Sequence, residues 1–354
     1  MRVTFVIPPL NLAGGTRVIA IYAELLKRRG HRVSVVCPPH GTGRSLRTLL
    51  AKRPVGKQPS SHFDGRDVEV KVLDEPRPVR EEDVDVGDVI IATWWETAEW
   101  VGRMSSRVGR KIYFIQHHEI HNFLSPRRTR ATYALPMHKI VVAKWLADVM
   151  CQEYGDCGVD VVPNGVDHDQ FRAIVRGKQP QPTVGLLYSE VEWKRFGLAM
   201  SVVQRLRERV PGLRVHCFGM DYPPAPLPGF VSFSFQPPQD MLRVLYSSCD
   251  VWLSASSSEG FNLPAMEAMA CRTPVVATQT GWPAEALVQG VNGACVPVDD
   301  VDALERETER ILKLPDAEWR AVSEAAFETV RENSWEHSTD LFEKALQRAS
   351  AAVG

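Results

Sequence analysis

No charge of one sign dominates this sequence. Forty-two Lys and Arg stand against 43 Asp and Glu over 354 residues, a formal net charge of −1. A global field that would recruit nucleic acid or a lipid surface is therefore excluded, and any basic surface is local. Cysteine is sparse and no CxxC pair occurs: Cys37, Cys151, Cys157, Cys217, Cys249, Cys271 and Cys295. Their odd number and mostly apolar surroundings predict reduced thiols rather than a disulfide framework or a zinc site. Long apolar runs are missing too, since no stretch approaches the ~20 residues that span a bilayer. The opening MRVTFVIPPLNLAGG reaches Pro8 after a short apolar run, so a buried strand is expected there rather than a leader. No repeat of solenoid type is visible. The expectation is a cytoplasmic protein.

What is present is an ordinary globular mixture, 44% apolar and 24% charged, long enough for two cores. Val3–Ile7 reads as a buried strand, Asn11–Thr16 as a turn, Arg17–Arg29 as a helix stopped by Gly30, and His31–Cys37 as the next strand. That order implies a parallel sheet. Strands follow at Val68–Leu73, Asp88–Thr93, Lys111–Gln116, Lys139–Val142 and Val159–Pro163. Asp169–Gln181 is polar and reads as a linker. A second series runs from Thr183–Tyr188 through Arg214–Gly219, Val231–Phe235, Asp250–Ser254, Pro274–Ala277 and Ala294–Pro297. The expected fold is α/β: two Rossmann-like, doubly wound domains facing a cleft, with ligands at the carboxyl ends of the strands.

Several segments carry chemistry. Strand Val251–Leu253 runs into Ser254-Ala-Ser-Ser-Ser-Glu259-Gly260-Phe261-Asn262-Leu263-Pro264-Ala265-Met266-Glu267. Gly260 allows a close turn and Pro264 suits a helix start. The amides around Gly260–Ala265 then form an anion site suited to a diphosphate. Glu267 is expected in the first helical turn, facing a ligand's hydroxyl pair, with Glu259 on the same mouth. Tyr188-Ser-Glu-Val-Glu-Trp-Lys194-Arg195 follows a strand and offers two cations. Gln116-His117-His118-Glu119 follows another, with His121 close by. A His/Glu cluster is a conceivable metal site, though none is expected here. Gly14 and Gly15 sit between a strand and a helix, where backbone approaches a ligand. Trp94, Trp95 and Trp100 are candidates for an acceptor wall. Asp83-Val-Asp85 reads as solvent-facing, and Ser247-Ser-Cys-Asp250 as a structural turn. The loop Pro38–Asp67 holds Arg44, Arg47, Lys52, Arg53 and Lys57, expected as a flap or a weak peripheral membrane contact. Pro126-Arg-Arg-Thr-Arg130 adds a second basic cluster.

The run EGFNLPAMEAMA, followed by Cys271-Arg-Thr-Pro-Val-Val-Ala-Thr278, resembles the retaining glycosyltransferases of family 4, which have the GT-B fold. Glu259 and Glu267 have that family's spacing. The resemblance extends to Val162-Pro-Asn-Gly-Val-Asp167, Gly281, Glu285, Gly290-Val-Asn-Gly293, Gly14-Gly15 and Trp335, which spans nearly the whole chain. It implies a donor half in which Glu267 binds the ribose hydroxyls, Glu259 contacts the donor sugar, and Phe261, Asn262 and Leu263 hold the phosphates beside Gly260. It implies that Lys194 neutralises the leaving diphosphate and that His117 approaches the donor sugar. The family's Arg falls on Tyr188 or Ser189 and is missing, so Arg195 is the expected substitute. His118, Glu119, Trp94 and Trp95 are expected on the acceptor side. The resemblance further implies domains at 1–165, rejoined by 335–354, and 166–334. The partners implied are a nucleotide sugar as co-substrate and a sugar or hydroxyl acceptor, with neither a metal nor a further cofactor. A nucleotide-sugar epimerase and a non-catalytic nucleotide-sugar-binding protein are the rival readings.

Overall fold

The computed structural model describes residues 1–40, 60–121 and 125–351. They form two compact units, Met1–Asn164 with Trp335–Gly354, and Gly165–Ser334. The basic loop Arg44–Lys57 lies outside the described residues.

The first unit contains β1 (Arg2–Val6), α1 (Gly14–Arg28), β2 (Arg32–Cys37), β3 (Glu69–Val72), β4 (Val89–Ala92), α2 (Trp95–Arg103), β5 (Arg110–Ile115), α3 (Pro126–Tyr133), β6 (His138–Val141), α4 (Lys144–Tyr154) and β7 (Asp160–Val161). Its sheet has the order β3-β2-β1-β4-β5-β6-β7, and every pairing is parallel. The central strands Val-Ile-Ile-Ala and Ile-Tyr-Phe-Ile are buried throughout, which is why they are apolar at consecutive positions rather than alternate ones. Helix α1 buries Val18, Ile19, Tyr22, Ala23 and Leu26, an i, i+3/i+4 stripe. It starts at Gly14, three residues before the periodicity shows it, because Gly14 and Gly15 carry no apolar side chain to mark the first turn.

The second unit contains β8 (Thr183–Tyr188), α5 (Phe196–Arg209), β9 (Arg214–Gly219), β10 (Val231–Phe235), α6 (Gln239–Ser247), β11 (Val251–Ser254), α7 (Leu263–Ala270), β12 (Val275–Thr278), α8 (Pro283–Ala286), β13 (Gly293–Val296), α9 (Val301–Lys313) and α10 (Asp316–Val330). Its parallel sheet has the order β10-β9-β8-β11-β12-β13. Val184, Leu186, Val203, Leu206, Leu253, Val276 and Trp319 share one core. Helix α11 (Trp335–Ala351) then returns to the first unit, where Phe342 stacks on Tyr22 at 4.4 Å.

Three expectations are corrected. The polar stretch 169–181 is bonded into the second unit and does not link the two: the Gln179 amide donates to Asp250 and Lys178 Nζ to the carbonyls of Leu312 and Leu314. Asp83 is buried, not solvent-facing. Arg77 grips both its oxygens at 2.6 and 2.7 Å, and that bond holds its carboxyl below the usual range. Cys151 and Cys157 form a disulfide. Helix α4 ends at Gly155 in the left-handed region, φ 70°, which folds the chain back until the two Cα atoms are 4.3 Å apart. The other five thiols are free. Burial pushes Cys37, Cys217 and Cys249 up to about 12 and Cys295 up to about 11. Among the described residues no helix is long and apolar enough to cross a membrane.

Candidate active site

In the second unit, β11 delivers Ser254 to the carboxyl edge of the sheet and the chain turns through Glu259–Asn262 into α7. The left-handed residue of this turn is Asn262, φ 79°, not Gly260. Asparagine tolerates that region, and here its Nδ2 donates to Ser254 Oγ at 3.0 Å, pinning the turn to the strand it left. The N-terminus of α7 has no side-chain cap and no acid in its first turn. Glu267 lies one turn further in than expected because the helix opens at Leu263. Gly281, φ 60°, allows the loop after β12 to press on this turn. A Cβ there would lie 2.8 Å from the Phe261 carbonyl, which accepts from the Trp282 amide.

Both glutamates are buried. Glu259 accepts from Lys194 Nζ through both oxygens, at 2.7 and 2.8 Å, and from Ser256 Oγ at 2.6 Å. Thr278 Oγ1 in turn holds the Ser256 carbonyl at 2.5 Å. Glu267 accepts from the Tyr246 hydroxyl at 2.8 Å. Lys194 reaches Glu259 from the single turn Glu192–Lys194 after β8. Arg195 points elsewhere and pairs with Asp299. Tyr188, at the position of the missing Arg, is packed edge-on against Phe196 and Phe233. A cavity of about 20 Å³ lies beside Lys194, Glu259 and Asn262. A wider one of about 420 Å³ lies against Tyr188, Arg195 and Pro223–Leu227.

In the first unit, β5 leads into His117, His118 and Glu119. His117 Nδ1 donates to the His118 carbonyl at 3.0 Å, and its ring lies 5.2 Å from that of His121. His118 Nε2 and the Tyr154 hydroxyl are 2.8 Å apart, and burial lowers the His118 pKa. Glu119 is 2% exposed. It accepts from the Trp95 amide at 2.9 Å at the start of α2, and burial holds its carboxyl well above the usual range. Glu119 thus caps a helix from inside the fold, with its carboxylate bonded to the start of α2. Trp95 is also buried, under the Arg128 guanidinium, while Trp94 stays half-buried. Gly14 and Gly15 open α1, with the Gln116 amide 3.4 Å from where a Gly15 Cβ would stand. Among the described residues no three His, Cys, Asp or Glu side chains converge as a metal centre requires.

Sequence reasoning missed Tyr246, Ser256 and Ser254. The two serines stand in the quoted run after β11 without a role of their own, and Tyr246 left only the trace of any core tyrosine, an aromatic on the apolar stripe of α6.

Two family models match the chain: Glycosyltransferase Family 4 over residues 12–170 and Glycosyl transferases group 1 over residues 226–328. D-inositol 3-phosphate glycosyltransferase from Mycobacterium avium is 32% identical over 210 residues, covering 54% of this chain and 49% of that protein. The Mycolicibacterium smegmatis protein of the same name is 31% identical over 209 residues, covering 54% and 48%. The chain thus spans about half the length of the curated relatives it matches. Among solved structures, sucrose-phosphate synthase from Thermosynechococcus elongatus superposes with TM-score 0.78 at 17% identity, over 99% of this chain and 100% of that one. Anabaena HepE in complex with UDP and glucose gives 0.76 at 16% identity, over 98% and 100%. At such identities these likenesses establish the fold. The glycosyltransferase family matches in both units, with two parallel sheets of seven and six strands, support a family-4-like glycosyltransferase of GT-B fold.

Proposed function

We propose that the chain moves a sugar from a nucleoside-diphosphate sugar to a hydroxyl acceptor, with retention of configuration and without a metal. The observation that carries this reading is the pair of buried carboxylates flanking the uncapped start of α7, with Lys194 on the first of them. The α7 amides and Lys194 receive the diphosphate, where negative charge grows as the bond to the anomeric carbon breaks. Glu267 takes the ribose hydroxyls. Glu259 orients both the donor sugar and Lys194. The acceptor oxygen attacks the same face from which the diphosphate departs, and the acceptor's proton passes to the departing phosphate oxygen. In this reading His117 keeps the donor-sugar role that the family resemblance implies. The relatives named for D-inositol 3-phosphate support a hydroxyl acceptor that bears phosphate, alongside glycans, lipid-linked glycans and natural products.

A thermal-shift screen with UDP, GDP, dTDP and ADP tests the donor half, because a ligand bound only by the folded state raises the midpoint. One diphosphate is expected to stand out. Incubating the matching sugar nucleotides with inositol phosphate and other hydroxyl acceptors should then give an α-linked product from an α-linked donor. Release of an isomerised sugar from donor alone would identify an epimerase. Nucleotide binding without turnover of any donor would identify a binding protein.

A further inference from the structure

We propose that Tyr246 is the positioning residue for Glu267: it fixes the carboxylate that meets the nucleotide's ribose and so sets donor affinity from a place the ligand never touches. This rests on the donor-site reading above. Glu267 is 3% exposed, so its rotamer is decided by neighbours rather than by water. The Tyr246 hydroxyl, itself fully buried, donates to Glu267 Oε2 at 2.8 Å. A phenol bonded to a carboxylate is a charge-assisted contact, stronger and more directional than a neutral one.

Tyr246 has little freedom of its own. Its ring packs edge-on against Trp252 at 4.8 Å, Phe218 at 5.6 Å and Phe171 at 6.0 Å. Its carbonyl accepts from Thr273 Oγ1 at 2.8 Å, at the turn between α7 and β12. The hydroxyl is therefore held by α6, β9, β11 and the segment before β8, while the carboxylate it holds sits on α7. A tyrosine so packed needs no hydroxyl for burial, and phenylalanine would fill the same box. The hydroxyl's placement against Glu267 is what remains to be accounted for, and orientation of a ligand-binding carboxylate accounts for it.

The test uses full-length protein and calorimetry with UDP, or with GDP or ADP if UDP does not bind, together with the 2′,3′-dideoxy form of the same nucleotide. Tyr246→Phe keeps the ring packing and should weaken binding of the ribonucleotide on the order of tenfold. Against the dideoxy nucleotide, which offers no hydroxyl pair, the variant and the wild type should agree within about twofold. The double variant Tyr246→Phe/Glu267→Gln should bind no more weakly than Glu267→Gln alone, because both changes remove one interaction. Equal weakening toward both nucleotides would mean that Tyr246 only supports the fold, and the proposal would be wrong. Weakening by Glu267→Gln without weakening by Tyr246→Phe would overturn the positioning role and leave the donor site standing. If the wild type binds neither these three diphosphates nor dTDP, the donor reading fails and the proposal with it; binding of dTDP alone, which has no 2′-hydroxyl, would overturn the proposal and leave the donor site standing.

Discussion

Lys194 is tied to Glu259 through both carboxylate oxygens, so removing it acts twice. Lys194→Ala deletes the cation expected to meet the diphosphate, and loss of one such donor costs on the order of 100- to 1,000-fold in turnover. It also leaves a buried carboxylate with Ser256 as its remaining side-chain donor here, a loss of about 2–3 kcal/mol of stability. The two effects separate in the pair Lys194→Ala/Glu259→Gln, where the orphaned charge is gone. Thermal unfolding should recover most of the lost stability while turnover stays low. Recovery of turnover would rule out the phosphate role. Glu119 makes the opposite electrostatic case. Its folded carboxyl titrates well above the usual range, first because of burial, so the folded state binds the proton more tightly than the unfolded one. Its contribution is complete below the ordinary carboxylate range and is lost as pH rises toward the folded value. Glu119→Gln should therefore unfold at a higher temperature than the wild type at pH 8 and near the same temperature at pH 4. A gap of the same size at both pH values would contradict this account.

Elements show where local pattern suffices and where it fails. The central strands of both sheets were legible because buried parallel strands are continuous apolar runs, while the edge strands β3 (Glu-Val-Lys-Val) and β10 (Val-Ser-Phe-Ser-Phe) alternate, and all bounds fall within two residues of the expected ones. Turns were less so. The glycine at 260 drew attention, yet the left-handed residue is Asn262, because which residue of a turn takes positive φ depends on what the side chain can bond afterwards. The end of α4 is the clearest failure: a six-residue separation between Cys151 and Cys157 carries no motif, and only the reversal at Gly155 brings them together. Between them, Glu153 pairs with Arg130, Tyr154 meets His118, and Asp156 holds the buried Lys139. The crosslink thus fastens the segment that braces the histidine loop. Closing so short a loop is worth about 2 kcal/mol in the chain-entropy account. Tris(2-carboxyethyl)phosphine, or Cys157→Ser, should lower the unfolding midpoint and speed amide exchange in residues 151–158 and 117–119 ahead of the rest of the first unit. Exchange that rises only at 151–158 would uncouple the crosslink from the histidines.

At the scale of the whole molecule, composition limited the possibilities, alternation of strands and helices gave the α/β class, and the run from Glu259 to Glu267 marked the segment on which the proposed donor half rests. Partners far apart in sequence remained invisible, Tyr246 with Glu267 and Glu119 with Trp95 among them; the return of the last helix to the first unit was expected from the resemblance, but not the rings it packs against. That last partnership bears directly on stability. Phe342 of α11 lies against Phe5 of β1, Tyr22 of α1 and Phe114 of β5, with ring centroids 6.4, 4.4 and 5.1 Å away, and Trp335 meets Tyr22 edge-on at 5.7 Å. The first unit's core is thus completed by a segment that follows the entire second unit in sequence, so it can close only late in synthesis. Replacing a buried Phe by Ala costs about 3–5 kcal/mol, a large share of the ~5–15 kcal/mol that holds a domain together. Phe342→Ala should raise amide exchange in β1, α1 and β5 well before it alters β8, β9 and β11, which have their own core. Nucleotide, if it binds as proposed, should protect α7 and β11 in this variant as it does in the wild type. Exchange at the wild-type rate in β1 and α1 would mean that α11 only covers a core already complete without it.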